Sequence, residues 1–592
     1  MTTFASGYCP RLKTNTKIGN KSDDQIPRHL LDNIIGRNLL LQSPFGTKAQ
    51  VYADYTASGK SLECVERFIH DKVLTTYGDM HTTASVTGLQ TVSFFEEARH
   101  IVARAVNASD SEHEVIFTSE GCRGAINKLI RAVGVDMNRR RHRASKRPVV
   151  FTCSYYSHST QSPWNENSCV DEVQIPETEG GDLDLTELQY QLERHQDRPL
   201  KLGCFDAASN LTGVLTDVDE VSRLLHRHGA LAFWDYSSCA PYVDIDMSSN
   251  DPAASKDAIY FAGHKFLGGP GSCNVLVVTK KVMATQVSLI SKGGVKTELD
   301  DGCPRDVLGS IRLGLALELM HRVGPMRIQE LQRKRLCHTY ESLCRNENIA
   351  VLGRRQTDDV DQQLPIFSLL FRFGDRFLHH NFVAALLSDL FGVQVDCGCL
   401  YASRSGRRLL GLTQKSTTAM NQAIAAGNVI LVPSGTRISF PYFVDDAEVD
   451  YILEAVHFVA DHGWKFLPQY DFSWRTGVWQ HVSRAIDVNY PPTRRLSAVS
   501  FSSTKSPTAS TSPVCVEDVV AHRRQNFVVA AEIADRCIQE AALTDCRQVE
   551  KVANVYEDLR WFAYPVDAMA AFHKFGGKPP IARHIWSVSA AK

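Results

Sequence analysis

From about residue 50 to 320, short apolar runs alternate with stretches whose apolar residues recur every three or four positions. Val115–Thr118, Val149–Cys153, Leu202–Asp206, Ala230–Asp235, Ile259–Ala262 and Val275–Val278 have the length and composition of buried strands. Between them, Cys122–Val133 sets Ala125, Ile126, Leu129, Ile130 and Val133 on one helical face and stops at Gly134. Val218–His228 does the same with Val218, Val221, Leu224 and Leu225, ending at Gly229. Strand–helix alternation of this kind predicts an α/β sheet, mainly parallel, between helices. After a helical stretch over 307–346 the pattern changes. Strands at Pro365–Phe373, Gly392–Val395, Val429–Val432 and Arg437–Phe440 alternate with helices near Phe377–Phe391 and Asp446–His462, as in a smaller α+β domain.

The ends of the chain read differently. Residues 1–25 are expected to be disordered, and Ser497–Pro513 is rich in Ser, Thr and Pro, as flexible linkers are. Beyond it, Val516–Ala542 patterns as a helix and Trp561–Lys592 as an irregular tail. The expected organisation is a large domain over 26–320, a small domain over 321–490, a linker over 491–515 and a C-terminal extension over 516–592.

Composition narrows the class. The 592 residues carry 65 Lys and Arg against 66 Asp and Glu, so no charge excess points to nucleic acid or a membrane surface. The most basic stretch, Asn138–Arg147, falls between two predicted elements and reads as a solvated loop. Sixteen cysteines show no repeating framework and no paired metal-binding spacing, which with the lack of a secretory leader favours free thiols in a reducing compartment. No apolar run is long enough to span a bilayer. The expected location is the cytoplasm. The first 22 residues, with Arg11, Lys13, Lys17 and Lys21 and several hydroxyls, also carry some transit-peptide character.

Candidate chemistry gathers at the carboxyl ends of the predicted strands, which face one crevice in an open α/β sheet. Lys265 follows the strand Ile259–Ala262 and is succeeded by Gly268-Gly269-Pro270-Gly271, an odd setting for a solvated cation. Asp235 ends the strand before it. Thr118-Ser119-Glu120-Gly121-Cys122-Arg123-Gly124 joins a strand to a helix and leaves N–H groups able to hold a phosphate. His158 follows Val149–Cys153, and Asn210 and Thr212 follow Leu202–Asp206.

These segments, in this order, resemble the class V aminotransferase family of fold-type I pyridoxal-phosphate enzymes, which includes the cysteine desulfurases. Tyr52–Gly59 (YADYTASG), Tyr77–Thr82 (YGDMHT), Phe117–Asn127, Ser209–Gly213, the Asp235 strand end and Gly263–Gly271 (GHKFLGGPG) all fit the family's motifs over roughly residues 50–460. The resemblance implies a fold-type I large domain and pyridoxal 5'-phosphate as cofactor, held on Lys265 as an internal aldimine. It implies Asp235 on the pyridinium nitrogen, His158 stacked on the ring with Pro163-Trp164 in the matching register, and Asn210 on the phenolic oxygen. Gly121, Cys122 and His264 would line the phosphate, and Ser238 stands where many members carry Gln. Cys303, in Asp301–Pro304, stands where the family's turn reaches a partner subunit's phosphate, which implies a homodimer. Arg437 would clamp the carboxylate of a small amino-acid substrate.

Two departures from the family matter. Cys122 and Cys303 replace hydroxyl residues that donate to phosphate, and a thiol is a weak donor. Tyr401 stands at the register of the desulfurase nucleophile, and a phenol cannot form a persulfide; Cys399 and Cys397 lie nearby, Cys399 being the candidate loop thiol. The expected activity is therefore a transaminase or a desulfurase-like lyase, with no metal. The rivals are a non-catalytic dimeric scaffold of the same fold and a fused sulfurtransferase, for which the tail beyond Pro513 is too short.

Overall fold

The computed structural model describes residues 25–119, 121–134, 147–153, 164, 170–283, 306–353, 360–398, 400–483, 516–541 and 554–575. The N-terminal segment, the linker, most of the basic stretch, and His158, Cys303 and Cys399 lie outside the described residues.

The chain opens with the hairpin β1 (Leu40–Ser43) and β2 (Gly46–Ala49), followed by the short strand β3 (Val51–Tyr52). The large sheet then takes β4 (His113–Thr118), β5 (Val149–Cys153), β6 (Asp171–Ile175), β7 (Lys201–Asp206), β8 (Leu231–Asp235), β9 (Ala258–Ala262) and β10 (Asn274–Thr279), in the order β4-β10-β9-β8-β7-β5-β6. Only β10 runs against its neighbours. Two buried clusters cover the sheet: Phe151, Phe205, Trp234 and Phe261 share one with their surroundings, while Val150, Phe233, Tyr260 and Leu276 share the other with the helix Gly121–Ala132. Strands apolar on both faces are what a sheet between helices requires. The expected fold class is the observed one, an α/β sheet of seven strands with a smaller α+β unit after it.

The smaller sheet orders β11 (Ile349–Leu352), β12 (Ile366–Phe373), β16 (Thr436–Ser439) and β15 (Asp396–Cys397), with β13 (Arg376–Phe377) off β12. The strand β14 (Val393–Gln394) pairs in parallel with β3, and Val51 and Ala53 share a buried cluster with the smaller sheet.

Several elements differ from the sequence pattern. Strand β6 (DEVQI) went unpredicted because it lies at the sheet's edge, half exposed, and shows no apolar run. Val429–Leu431 forms a 3-10 turn, not a strand: Pro433 follows closely and cannot donate to a ladder. The stretch over 307–346 is two helices, Val307–Val323 and Pro325–Cys344, broken at Gly324-Pro325. Within the tail, Pro565–Phe575 is a helix rather than irregular chain, with Ala568 and Ala571 turned into the core. Among the described residues, no helix is long and apolar enough to cross a membrane, and no cysteine is in a disulfide.

Candidate active site

Parallel register sets the site. Asp206 and Asp235 end adjacent strands as direct partners, and Asp235 pairs with Tyr260, five residues before Lys265. The chain leaves β9 into a single 3-10 turn, Gly263–Lys265, instead of a helix. This turn is close-packed backbone against backbone: a Cβ on Gly269 would stand 2.2 Å from the Gly263 carbonyl oxygen, so no other residue fits. Gly59 donates its N–H to the His264 carbonyl at 2.9 Å, and Lys60 accepts from Gly268 at 2.7 Å, which fixes the turn against the segment after β3.

Lys265 is partly buried, with Arg437, Cys122, Asp235 and Asp54 around its amine. Burial, and secondarily the Arg437 cation, holds its pKa below the ordinary lysine value, because both disfavour the ammonium. Asp235 accepts the Ser237 N–H at 2.7 Å. The Ser237 hydroxyl in turn lies 2.8 Å from the Cys122 thiol, at the start of the helix Gly121–Ala132. Gly121 takes φ +67°, and among the described residues no atom outside its own helix and chain neighbours lies within 4 Å of where a side chain would begin. Burial pushes the Cys122 thiol up to about 12, so it stays protonated. Ser237, next to Ser238, touches both Cys122 and Asp235.

His264 turns its ring to the Ala57 backbone, and burial lowers its pKa. Asn210 offers its backbone carbonyl to Arg437 at 3.2 Å. Arg437 is 6% exposed, in the interior of the small sheet rather than on its edge. Its guanidinium meets two carboxylates, Asp54 at 3.2 Å and Asp396 at 2.5 Å. Trp164 is buried against the helix Gly121–Ala132, close in sequence to His158. Cys397 gives its thiol to Asn381 Oδ1 at 3.0 Å, and burial with Asp396 and Asp54 pushes it up to about 12. Tyr401 donates to Asn421 Oδ1 at 2.6 Å and to the Thr417 carbonyl at 3.3 Å.

Three carboxylates in this site were not singled out from the sequence: Asp54, Asp206 and Asp396. Asp206 has a direct signal, since β7 ends on Asp as β8 does, and adjacent parallel strands bring such ends together. Its carboxyl accepts from the Cys153 thiol at 3.1 Å, and burial, then Asp235, raises it to about 7. Because the native pKa exceeds the unfolded one, the stability contributed by the neutral acid is complete below about pH 4 and is lost as pH rises through about 7. Asp206→Asn is therefore expected to melt higher than the wild type by a margin that grows from pH 5 to pH 8, measured on cofactor-free protein. An unchanging or shrinking margin would contradict this.

Residues 51–452 match the family model for class-V aminotransferases. The chain is 23% identical over 359 residues to a probable cysteine desulfurase of Pyrococcus abyssi, covering 58% of this chain and 83% of that protein. It is 24% identical over 370 residues to one of Halalkalibacterium halodurans, covering 59% and 83%. Among solved structures, the cysteine desulfurase of Thermococcus onnurineus superposes with a TM-score of 0.54 at 18% identity, covering 73% of this chain and 98% of that one. The Escherichia coli cysteine desulfurase gives 0.53 at 18%, covering 73% and 97%. These structural likenesses carry the fold; the match over 51–452 carries the family. The chain belongs to the class-V aminotransferase family of pyridoxal-phosphate-dependent enzymes.

Proposed function

We propose that the protein is a homodimeric enzyme that uses pyridoxal 5'-phosphate to act at the α-amino group of a small amino acid, as a transaminase or a desulfurase-like lyase. The observation that carries this is the Lys265 amine, partly buried and held toward its neutral form beside Asp235 and Cys122 at the start of the helix Gly121–Ala132. The chain's donor set fits the cofactor: an unprotonated amine for its aldehyde, a carboxylate for its ring nitrogen, and helix N–H groups with Ser237 for its phosphate. When bound, the cofactor supplies an electron sink for charge developing at the substrate's Cα.

The chain's own residues supply the rest. Lys265 Nζ takes the Cα proton, which its lowered pKa permits near neutral pH. Asp235, whose carboxyl accepts the Ser237 N–H, is the partner for the ring nitrogen. Arg437 receives the substrate carboxylate. His158, Asn210, Ser238, His264 and Cys303 complete the proposed set. A persulfide-forming lyase would need a thiolate; Cys397 is held as a thiol and Tyr401 is engaged by Asn421, so Cys399 is the residue left for that role. Apolar exposure supports self-association. Leu74, Tyr77, Val86 and Leu89 are exposed on a segment and helix joined by the Gly78 N–H to Thr91 Oγ1 bond of 2.9 Å. Cysteines outside any disulfide, among the described residues, fit a cytoplasmic location.

A non-catalytic scaffold is the second reading, favoured by the carboxylates already on Arg437. One assay separates them. Purified protein loaded with cofactor is incubated with cysteine, with and without a keto acid. Sulfide released without keto acid identifies the lyase, and a new amino acid made from the keto acid identifies the transaminase. Bound cofactor with neither product across a panel of amino acids would favour the scaffold.

A further inference from the structure

Arg437 on β16 and Asp396 on β15 are direct cross-strand partners in an antiparallel pair, so their side chains leave the same face of the sheet. Asp396 Oδ2 lies 2.5 Å from one guanidinium nitrogen, and Asp54 Oδ1 lies 3.2 Å from the same nitrogen. The other terminal nitrogen donates to the Asn210 carbonyl. With side-chain exposures of 7% for Arg437, 20% for Asp396 and 17% for Asp54, these contacts are shielded from water and only weakly screened.

We propose that Asp396 is an internal occupant of the carboxylate subsite, and that an amino-acid substrate enters by displacing it from Arg437. This rests on the reading that Arg437 receives the substrate carboxylate.

The two carboxylates differ in how firmly they are held. Asp54 follows Ala53, whose N–H donates to the Gln394 carbonyl at 2.9 Å and whose carbonyl accepts from the Ser439 N–H at 2.9 Å. That fixes the segment carrying Asp54 between β14 and β16. Asp396 sits on a strand of two residues at the outer edge of the small sheet, paired on one side with β16. An edge strand this short separates at little cost. The incoming carboxylate would take the place of Asp396 on the planar fork. Asp54 stays, so one negative charge remains beside Arg437, and the subsite suits substrates with one carboxylate better than those with two.

The test uses propionate, which has the carboxylate and lacks the amine. Calorimetric titration of the cofactor-loaded full chain is expected to show Asp396→Asn binding propionate about ten-fold or more tightly than the wild type. Asp396→Ala should show the same gain, and the double variant Asp396→Asn with Arg437→Gln should lose it. In the wild type, propionate should speed hydrogen exchange at the Cys397 amide, which donates to Asp396 Oδ1 at 2.8 Å in the free protein. A change within about two-fold in both single variants, or a gain that persists without Arg437, would overturn the proposal. So would propionate binding to the wild type with unaltered exchange at Cys397. Failure of the enzyme reading shows itself separately, as protein that takes up no cofactor.

Discussion

Lys265→Ala is expected to lose the visible absorption of lysine-bound cofactor and to lower turnover by about 10³-fold or more, since both the covalent anchor and the proton-transfer base are removed. The anchor and the base are the same atom, which sits where its proton is easily lost: burial and Arg437 both depress its pKa. The substitution should not unfold the protein. The turn Gly263–Lys265 is fixed by backbone contacts to Gly59 and Lys60, not by the lysine side chain. Asp235, Ser237 and the helix start at Gly121 remain, so the variant should still take up cofactor, reversibly. Absorption spectra, dialysis and melting temperature check these three parts in turn. Partial recovery of activity by a small primary amine, filling the space left by the side chain, would separate lost chemistry from lost structure. A variant that keeps the band and the wild-type rate would remove Lys265 from the mechanism.

The second large effect is on stability. Trp561→Ala is expected to cost about 3–5 kcal/mol of unfolding free energy. Trp561 is 4% exposed. Its ring stacks on His379 at 5.2 Å and on His380 at 5.8 Å, and its Nε1 donates to the Leu431 carbonyl at 3.1 Å. Its backbone joins in: the Trp561 carbonyl accepts from Phe377 N–H at 3.2 Å, and Ala563 N–H donates to the Phe377 carbonyl at 3.0 Å. Residues 561–563 thus add themselves beside β13, and Phe562, Ala563 and Tyr564 are buried with them in the small-domain core. Against a typical total of about 5–15 kcal/mol, that loss is large. Urea unfolding of the full chain measures it. A loss below about 1 kcal/mol would mean that the tail's burial adds little to stability.

The two results bear on what can be read from a sequence. Lys265 and Asp235 were legible because parallel strands deliver their carboxyl ends to one rim, a rule that needs only the strand boundaries. Gly121 and Cys122 followed from a strand-to-helix turn. Asp206 was open to the same argument and was passed over because its role depends on a neighbouring strand's end. The Arg437–Asp396 pair depends on cross-strand register in the small sheet, and the Asp54 contact joins residues 383 positions apart; neither leaves a local pattern. The tail was read as irregular because WFAYP has no helical or alternating period, yet its aromatic side chains are what the core takes up.

That uptake bears on how the protein is made. The pocket around Phe377, His379 and Leu431 is completed by residues 561–564, so the small-domain core cannot close while the chain between is still being synthesised. At ribosomal speeds of roughly 5–20 residues per second, the delay is on the order of ten seconds or more. The large domain can finish its sheet during that interval, since β4 to β10 lie within residues 113–279. The small domain meanwhile shows water an aromatic cleft, a surface for chaperones to hold until its own late segment arrives.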